Sequence, residues 1–262
     1  MNQSMTAIIK KDIKGITSNK RMFITLLIVP LVLTIVVPSV FTLVFHFMPE
    51  EDTDLQKMLE LLPLSMQNGN SRQTLAELML NYIMPVFFLL IPIMASSVMA
   101  AASFVGEKEK RTLETLLYCP LSLKQIFRSK VMASFLLSMF VSAVSFTAMF
   151  VVIEAETYLF TNRFVIPDLK WLLIMLLVSP AISLIAITLI VRISAKAQSV
   201  EDAEQSSVFL VLPVILLIVG QFTGVLLISS WLLLGIGVLC GLLAALLLKK
   251  CMEHFQYETL LK

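Results

Sequence analysis

The sequence is short of charge and of the residues that soluble chemistry depends on. Asp, Glu, Lys and Arg make up 15% of the 262 residues, whereas a soluble domain carries about 25%. Of the three cysteines, Cys119 and Cys251 fall in segments read as cytoplasmic and Cys240 inside an apolar run. That placement excludes an outside disulfide framework. The two histidines, His46 and His254, stand at opposite ends of the chain, which argues against a zinc site of ordinary local spacing. No GxxxxGKS or GxxxxGKT occurs, so the chain has no loop to cradle a nucleoside triphosphate itself. The apolar runs lack aspartate pairs and nucleophile–base pairs, which counts against an intramembrane protease. They also lack carboxylates near their middles, which counts against coordination of bare ions by side chains. Net charge is only +2 and the bases are scattered among loops, a pattern that does not point to nucleic acid.

What is present is apolar sequence in long runs. Hydrophobic residues make up 58% of the chain and mean hydropathy is +0.91. Runs of about 20 residues recur, each long enough to cross a hydrocarbon core as a helix. They predict an all-α polytopic membrane protein of one transmembrane domain, 1–262. The six spans are placed at 22–48, 81–105, 131–153, 169–191, 208–228 and 230–248. The last two stand almost back to back across Ser229-Ser230, as a tight hairpin or a span broken near Gly220 and Gly224. The first run continues too far for a signal-peptide core and is not followed by a small-residue cleavage site. It reads as a retained span.

Loop charge orients the spans. Of the 20 Lys and Arg, only Lys57, Arg72, Arg163 and Lys170 lie on the side assigned to the outside. The asymmetry places both termini, the 106–130 loop, the loop between spans four and five and the 249–262 tail in the cytoplasm. The outside loop, 49–80, opens with the acidic EEDTD and carries Leu55, Met58, Leu59 and Leu62 at helical spacing. Residues 1–21 form an amphipathic elbow. Met5, Ile8, Ile9, Ile13 and Ile16 share one face of it, while Lys10, Lys11 and Lys14 lie off that face. Such a helix lies in the membrane interface, apolar side down, with its lysines toward anionic headgroups.

The most charged stretch is FVGEKEKRTLETLLYCPLSLKQIFRSK, from Phe104 to Lys130. Leu113, Leu116 and Leu117 give a short helical edge that Pro120 stops, because proline lacks an N–H and crowds the preceding turn. Ser122 and Gln125 then have the spacing of a capping box that starts the helix of span three. A short helix held between two rigid spans passes a push from a soluble partner into both. The alternative, that its leucines simply pack at the headgroups, is equally compatible with spacing alone. In the next cytoplasmic loop, SAKAQSVEDAEQSS, Ser199 has the position of a helix cap, with Glu201, Asp202 and Glu204 in the first turns where acids suit the helix dipole. Gln221 is the most conspicuous polar residue within a span. Small residues at Ala95 to Ser97, Ala100 to Ser103, Ser138, Ser142, Ser145 and Gly237xxxGly241 allow close helix approach. Pro30, Pro38, Pro85, Pro92, Pro180 and Pro213 fall within spans, where they kink helices and free carbonyls.

The 104–130 stretch resembles the signature loop of the exporter-type permease subunits of ABC transporters. In that class an acidic-basic run leads to Thr-Leu-Glu, a leucine pair, a proline, a serine and a closing lysine. Here these are Glu107 to Lys110, Thr112-Leu113-Glu114, Leu116-Leu117, Pro120, Ser122 and Lys130. AKAQSVEDAEQ, with Pro213 beyond it, is similar to the family's loop between spans four and five. Arg111 and Ser129 depart from the pattern, standing where glycine is usual. The resemblance implies a permease without a catalytic site or bound cofactor, working with a separate ABC ATPase subunit that consumes the ATP. It implies a second permease, identical or paralogous, in the cell membrane. The ATPase contact would fall on Glu107, Arg111, Thr112, Leu113, Glu114, Leu116, Leu117 and Pro120. The acidic segment of Ser199, Glu201, Asp202 and Glu204 reads either as a solvated helix start or as a second cytoplasmic contact, and Gln221, by its polarity within a span, is a candidate for lining the path. A non-transporting sensor or scaffold that couples an ATPase to signalling is the alternative function.

Overall fold

The computed structural model describes residues 3–47, 81, 83–110, 112, 121–161, 168–194, 196–206, 208–222 and 230–254. Among these the chain is helical without strands. The elbow is α1 (Gln3–Thr17) and span one is in α2 (Lys20–Phe47). Span two is divided into α3 (Met84–Phe88) and α4 (Leu90–Glu109). Span three is the long α5 (Leu123–Thr161). Span four comprises α6 (Leu169–Leu173), a π-helical turn (Ile174–Val178) and α7 (Ser179–Ser194). A short α8 (Val200–Ser206) leads to α9 (Val208–Phe222), and α10 (Ser230–His254) is span six. Six of these helical stretches are long and apolar enough to cross a membrane. A helix suits that task because it satisfies its own backbone polar groups where water cannot.

Prolines account for the breaks. Pro92 has no N–H to give the carbonyl of Phe88, so α3 and α4 separate at Leu89, whose N–H turns back to Val86 instead at 3.0 Å. In α2, Thr34 and Thr42 donate their hydroxyls to the carbonyls of Pro30 and Pro38, at 2.9 and 2.7 Å.

Span two is the centre of the bundle and is the most enclosed of the six. Its Ile91, Met99, Ala100, Ala101 and Val105 are fully buried, and the alanines let spans three and four approach closely. Ser138 of span three and Ser183 of span four share a hydrogen bond of 2.8 Å within this packing. Toward the end away from the 106–130 loop, Phe88, Phe146 and Trp171 meet edge to face or tilted, with ring centroids 5.5 to 6.0 Å apart. Spans one, five and six lie outside this centre and expose most of their apolar surface. Of the two glycines in Gly237xxxGly241, only Gly237 makes a close approach; nothing crowds the Cβ position of Gly241.

The helices α4 and α5 continue beyond the spans assigned from hydropathy, to Glu109 and from Leu123. The elbow's apolar face also differs from expectation. Ile8 packs on Ile126 and Leu121 at the start of α5, and Ile16 joins the main core. That face meets protein, so the elbow is part of the bundle at the end where the 106–130 loop attaches.

Candidate functional site

Both ends of the 106–130 loop are fixed by their own backbone chemistry. At its start, α4 ends at Lys110, whose N–H returns to the carbonyl of Gly106 at 3.1 Å. The N–H of Thr112 then donates to the carbonyl of Glu107 at 2.9 Å. At its end, the N–H of Ser122 donates to Oε1 of Gln125 at 3.0 Å, and the N–H of Gln125 donates to Oγ of Ser122 at 3.4 Å. This reciprocal pair satisfies N–H groups that the first turn of α5 cannot satisfy internally. Ser129 is fully buried and donates its hydroxyl to the carbonyl of Gln125 at 2.8 Å. A serine is accommodated there within the helix.

Between these two ends lies a cluster of four charges. Lys130 is only 2% exposed. Its Nζ lies 2.7 Å from Oε2 of Glu107 and 3.7 Å from Oδ2 of Asp12. It also donates to the carbonyl of Ser103 and sits 5.4 Å from the ring centroid of Phe104. Ser103 donates its hydroxyl to Oδ2 of Asp12 at 2.8 Å. Lys11, on the exposed side, donates to Oε1 of Glu107. Two carboxylates and two ammonium groups therefore compensate one another at the meeting point of α1, α4 and α5. An isolated buried charge is costly, and only pairing with further hydrogen bonds makes such burial tolerable. The arrangement holds three helices in one register.

The stretch between spans four and five packs beside this cluster. Oε2 of Glu109 accepts from the N–H of Val200 at 3.3 Å, at the start of α8. Ser199 caps that helix, its Oγ accepting from the N–H of Asp202 at 3.2 Å. Ala203 is fully buried, and the side chain of Val200 lies against Gly106. Glu201 and Asp202 face out, while Glu204 is half-buried.

Of the residues singled out in sequence, Glu107, Thr112, Ser199, Glu201, Asp202 and Glu204 are thus brought to one corner of the bundle. Arg111, Leu113, Glu114, Leu116, Leu117 and Pro120 lie outside the described residues. Gln221 is elsewhere, near the far end of α9. It is buried, and its Oε1 has no hydrogen-bond partner. Sequence reasoning missed Asp12 and Lys11 as partners of the loop. The signal for Asp12 was present: it is the one acid on the elbow face of Ile8, Ile9 and Ile16, and a lone acid in an apolar stripe implies a buried cation nearby. Nothing local pointed to which cation.

Comparison with protein families matches residues 6–233 to the ABC-2 family transporter protein model. No curated protein and no solved structure matches the chain. With that match over most of the chain and six membrane-crossing helices, the chain belongs to the ABC-2 transporter family and is the membrane-spanning permease component of an ABC transporter.

Proposed function

We propose that this permease forms the export path of an ATP-driven transporter in the cell membrane, with both termini in the cytoplasm. It couples to a separate ATPase subunit through the 106–130 loop. The ATPase binds and consumes the ATP; a second permease, identical or paralogous, completes the path within the lipid bilayer. The observation that carries this reading is the ion cluster at the loop's base. Glu107 stands at one end of the loop and Lys130 at the other, in direct contact, and Asp12 ties both to the elbow. A push on the short Leu113-to-Leu117 segment then reaches spans two and three and the elbow as one body, which suits alternating access driven by rigid-body motion. In this reading Glu107 is a positioning residue. Arg111, Thr112, Leu113, Glu114, Leu116, Leu117 and Pro120 form the contact, with the leucines filling an apolar groove and the charges setting register. The helix capped by Ser199, with Glu201, Asp202 and Glu204, is a second contact because Glu109 holds it against the same corner.

The test is purification of the tagged chain from its native membrane in mild detergent, beside a Leu116→Asp/Leu117→Asp variant. An ATPase that accompanies the wild type and is lost from a folded variant is the expected result. If no ATPase accompanies either protein, coupling through this loop is wrong. Should the ATPase bind normally while reconstituted vesicles move no cargo on ATP addition, the chain couples an ATPase to something other than transport.

A further inference from the structure

We infer that span four is jointed near its outer end at Ile174–Val178, and that its short Leu169–Leu173 segment swings about a contact with span six at Gly237. The backbone supplies the first reason. The N–H of Ser179 is given to the carbonyl of Ile174, five residues back, so this turn holds one residue more than an α-helical turn. Pro180 explains why. Having no N–H, it cannot close an α-type bond to Leu176 or a π-type bond to Met175. With the N–H of Ser179 committed to Ile174, the carbonyl of Met175 receives a donor from neither residue. A helix weakened at one turn bends there more readily than elsewhere.

Span six supplies the second reason. It packs inward through a narrow stripe of Leu233, Gly237, Ala244 and Cys251, and the crowding point on it is Gly237. A Cβ there would come within 2.6 Å of Cδ2 of Leu177 and 3.2 Å of Cγ2 of Val178. The crowding point of span six thus falls on the π turn itself, where only the Leu177 and Val178 side chains separate the glycine from the turn.

The third reason is a pair of idle hydroxyls. Spans three and four run antiparallel and share the Ser138–Ser183 hydrogen bond. One turn further on, that register brings Ser142 opposite Ser179. Both are buried, and neither Oγ has a hydrogen-bond partner. A buried hydroxyl left unpaired is unfavourable, so a second position of the joint in which these two pair has a specific gain. This gives span four two positions distinguished by one hydrogen bond, the kind of difference by which a two-state element is biased. The inference does not rest on the ATPase reading and holds for the chain alone.

The test uses the purified full chain in lipid nanodiscs with Cys119, Cys240 and Cys251 replaced by alanine. Spin labels are placed at Leu172→Cys and Leu239→Cys, both exposed positions, and the distance distribution is measured by double electron–electron resonance. Two distances are expected. Deletion of Leu176, which is 67% exposed and gives up little packing, together with Pro180→Ala returns the turn to α-helical count. It should remove one of the distances. Ser142→Ala should shift the ratio of the two without removing either. If the deletion prevents folding, Pro180→Ala alone is read instead and should shrink the minor distance several-fold. A single distance in the parent chain, or two distances that persist unchanged in the repaired variants, overturns the joint.

Discussion

Lys130 places an ammonium group among Asp12, Glu107 and Ser103 with 3% of its side chain exposed. The geometry ranks what each member of the cluster contributes. Removing the cation leaves two buried carboxylates without their inner partner, and breaking a buried pair in this way costs about 3–5 kcal/mol. Lys130→Met should therefore lower the unfolding midpoint in detergent strongly, as read by fluorescence-detected size exclusion on heating. Asp12→Asn should cost less, because Glu107 at 2.7 Å is the closer anion and remains in place. Lys11→Ala should cost about 1 kcal/mol or less, since its side chain is 56% exposed and exposed pairs contribute little. Equal losses in all three variants would contradict the ranking. At Gly237 the relevant quantity is space. Gly237→Ala puts a methyl group against Leu177 and should destabilise by about 1–3 kcal/mol, as overpacking does. Leu177→Ala should relieve that loss, and Gly241→Ala should be neutral in the same melting assay. A neutral Gly237→Ala would show that span six is not seated on the π turn.

At the scale of elements, the hydrogen-bonded turns at the two ends of the 106–130 loop fix where α4 stops and α5 starts. Ser122→Ala removes one half of the reciprocal pair with Gln125 and should cost about 1 kcal/mol of local stability, as cap removal does. Ser199→Ala should do the same to α8, which depends on that serine for its first turn. Hydrogen exchange should report faster amide exchange at residues 122–126 in the first variant and 199–203 in the second, with the span interiors unchanged. No local change would mean that these serines cap nothing. Both caps were legible in sequence because their partners sit three residues away, and the elbow's apolar face was legible from its 3.6-residue period. The Asp12 site was not, because its hydrogen-bond partner Ser103 lies 91 residues on and only the packing of α1 against α4 and α5 brings them together. The π turn was hidden for a related reason. Pro180 announced a kink, but which turn widens depends on how the neighbouring N–H groups are shared. The helices that carry spans two and three run beyond the apolar windows, as far as Glu109 and from Leu123, because helix ends follow backbone hydrogen bonding and hydropathy reads only apolar length.

Over the whole molecule, span two is the most enclosed of the six apolar spans among the described residues, while spans one, five and six keep broad apolar faces outward. Membrane insertion and class were readable from composition alone, since a lipid-facing surface must be apolar along its length. Assembly was not readable, because lipid and a second permease make the same demand on an exposed helix. The elbow, the two ends of the 106–130 loop and α8 converge on one corner of this molecule, and that corner is where an ATPase is expected to act. The most direct measurement places a photo-crosslinking amino acid at Leu117 in the full chain, irradiates native membranes, and identifies the product by mass spectrometry. A covalent adduct with an ABC ATPase, lost when Leu116→Asp is added, is the predicted result. Adducts confined to lipid or to the permease itself, from a chain that folds and inserts normally, would contradict the account.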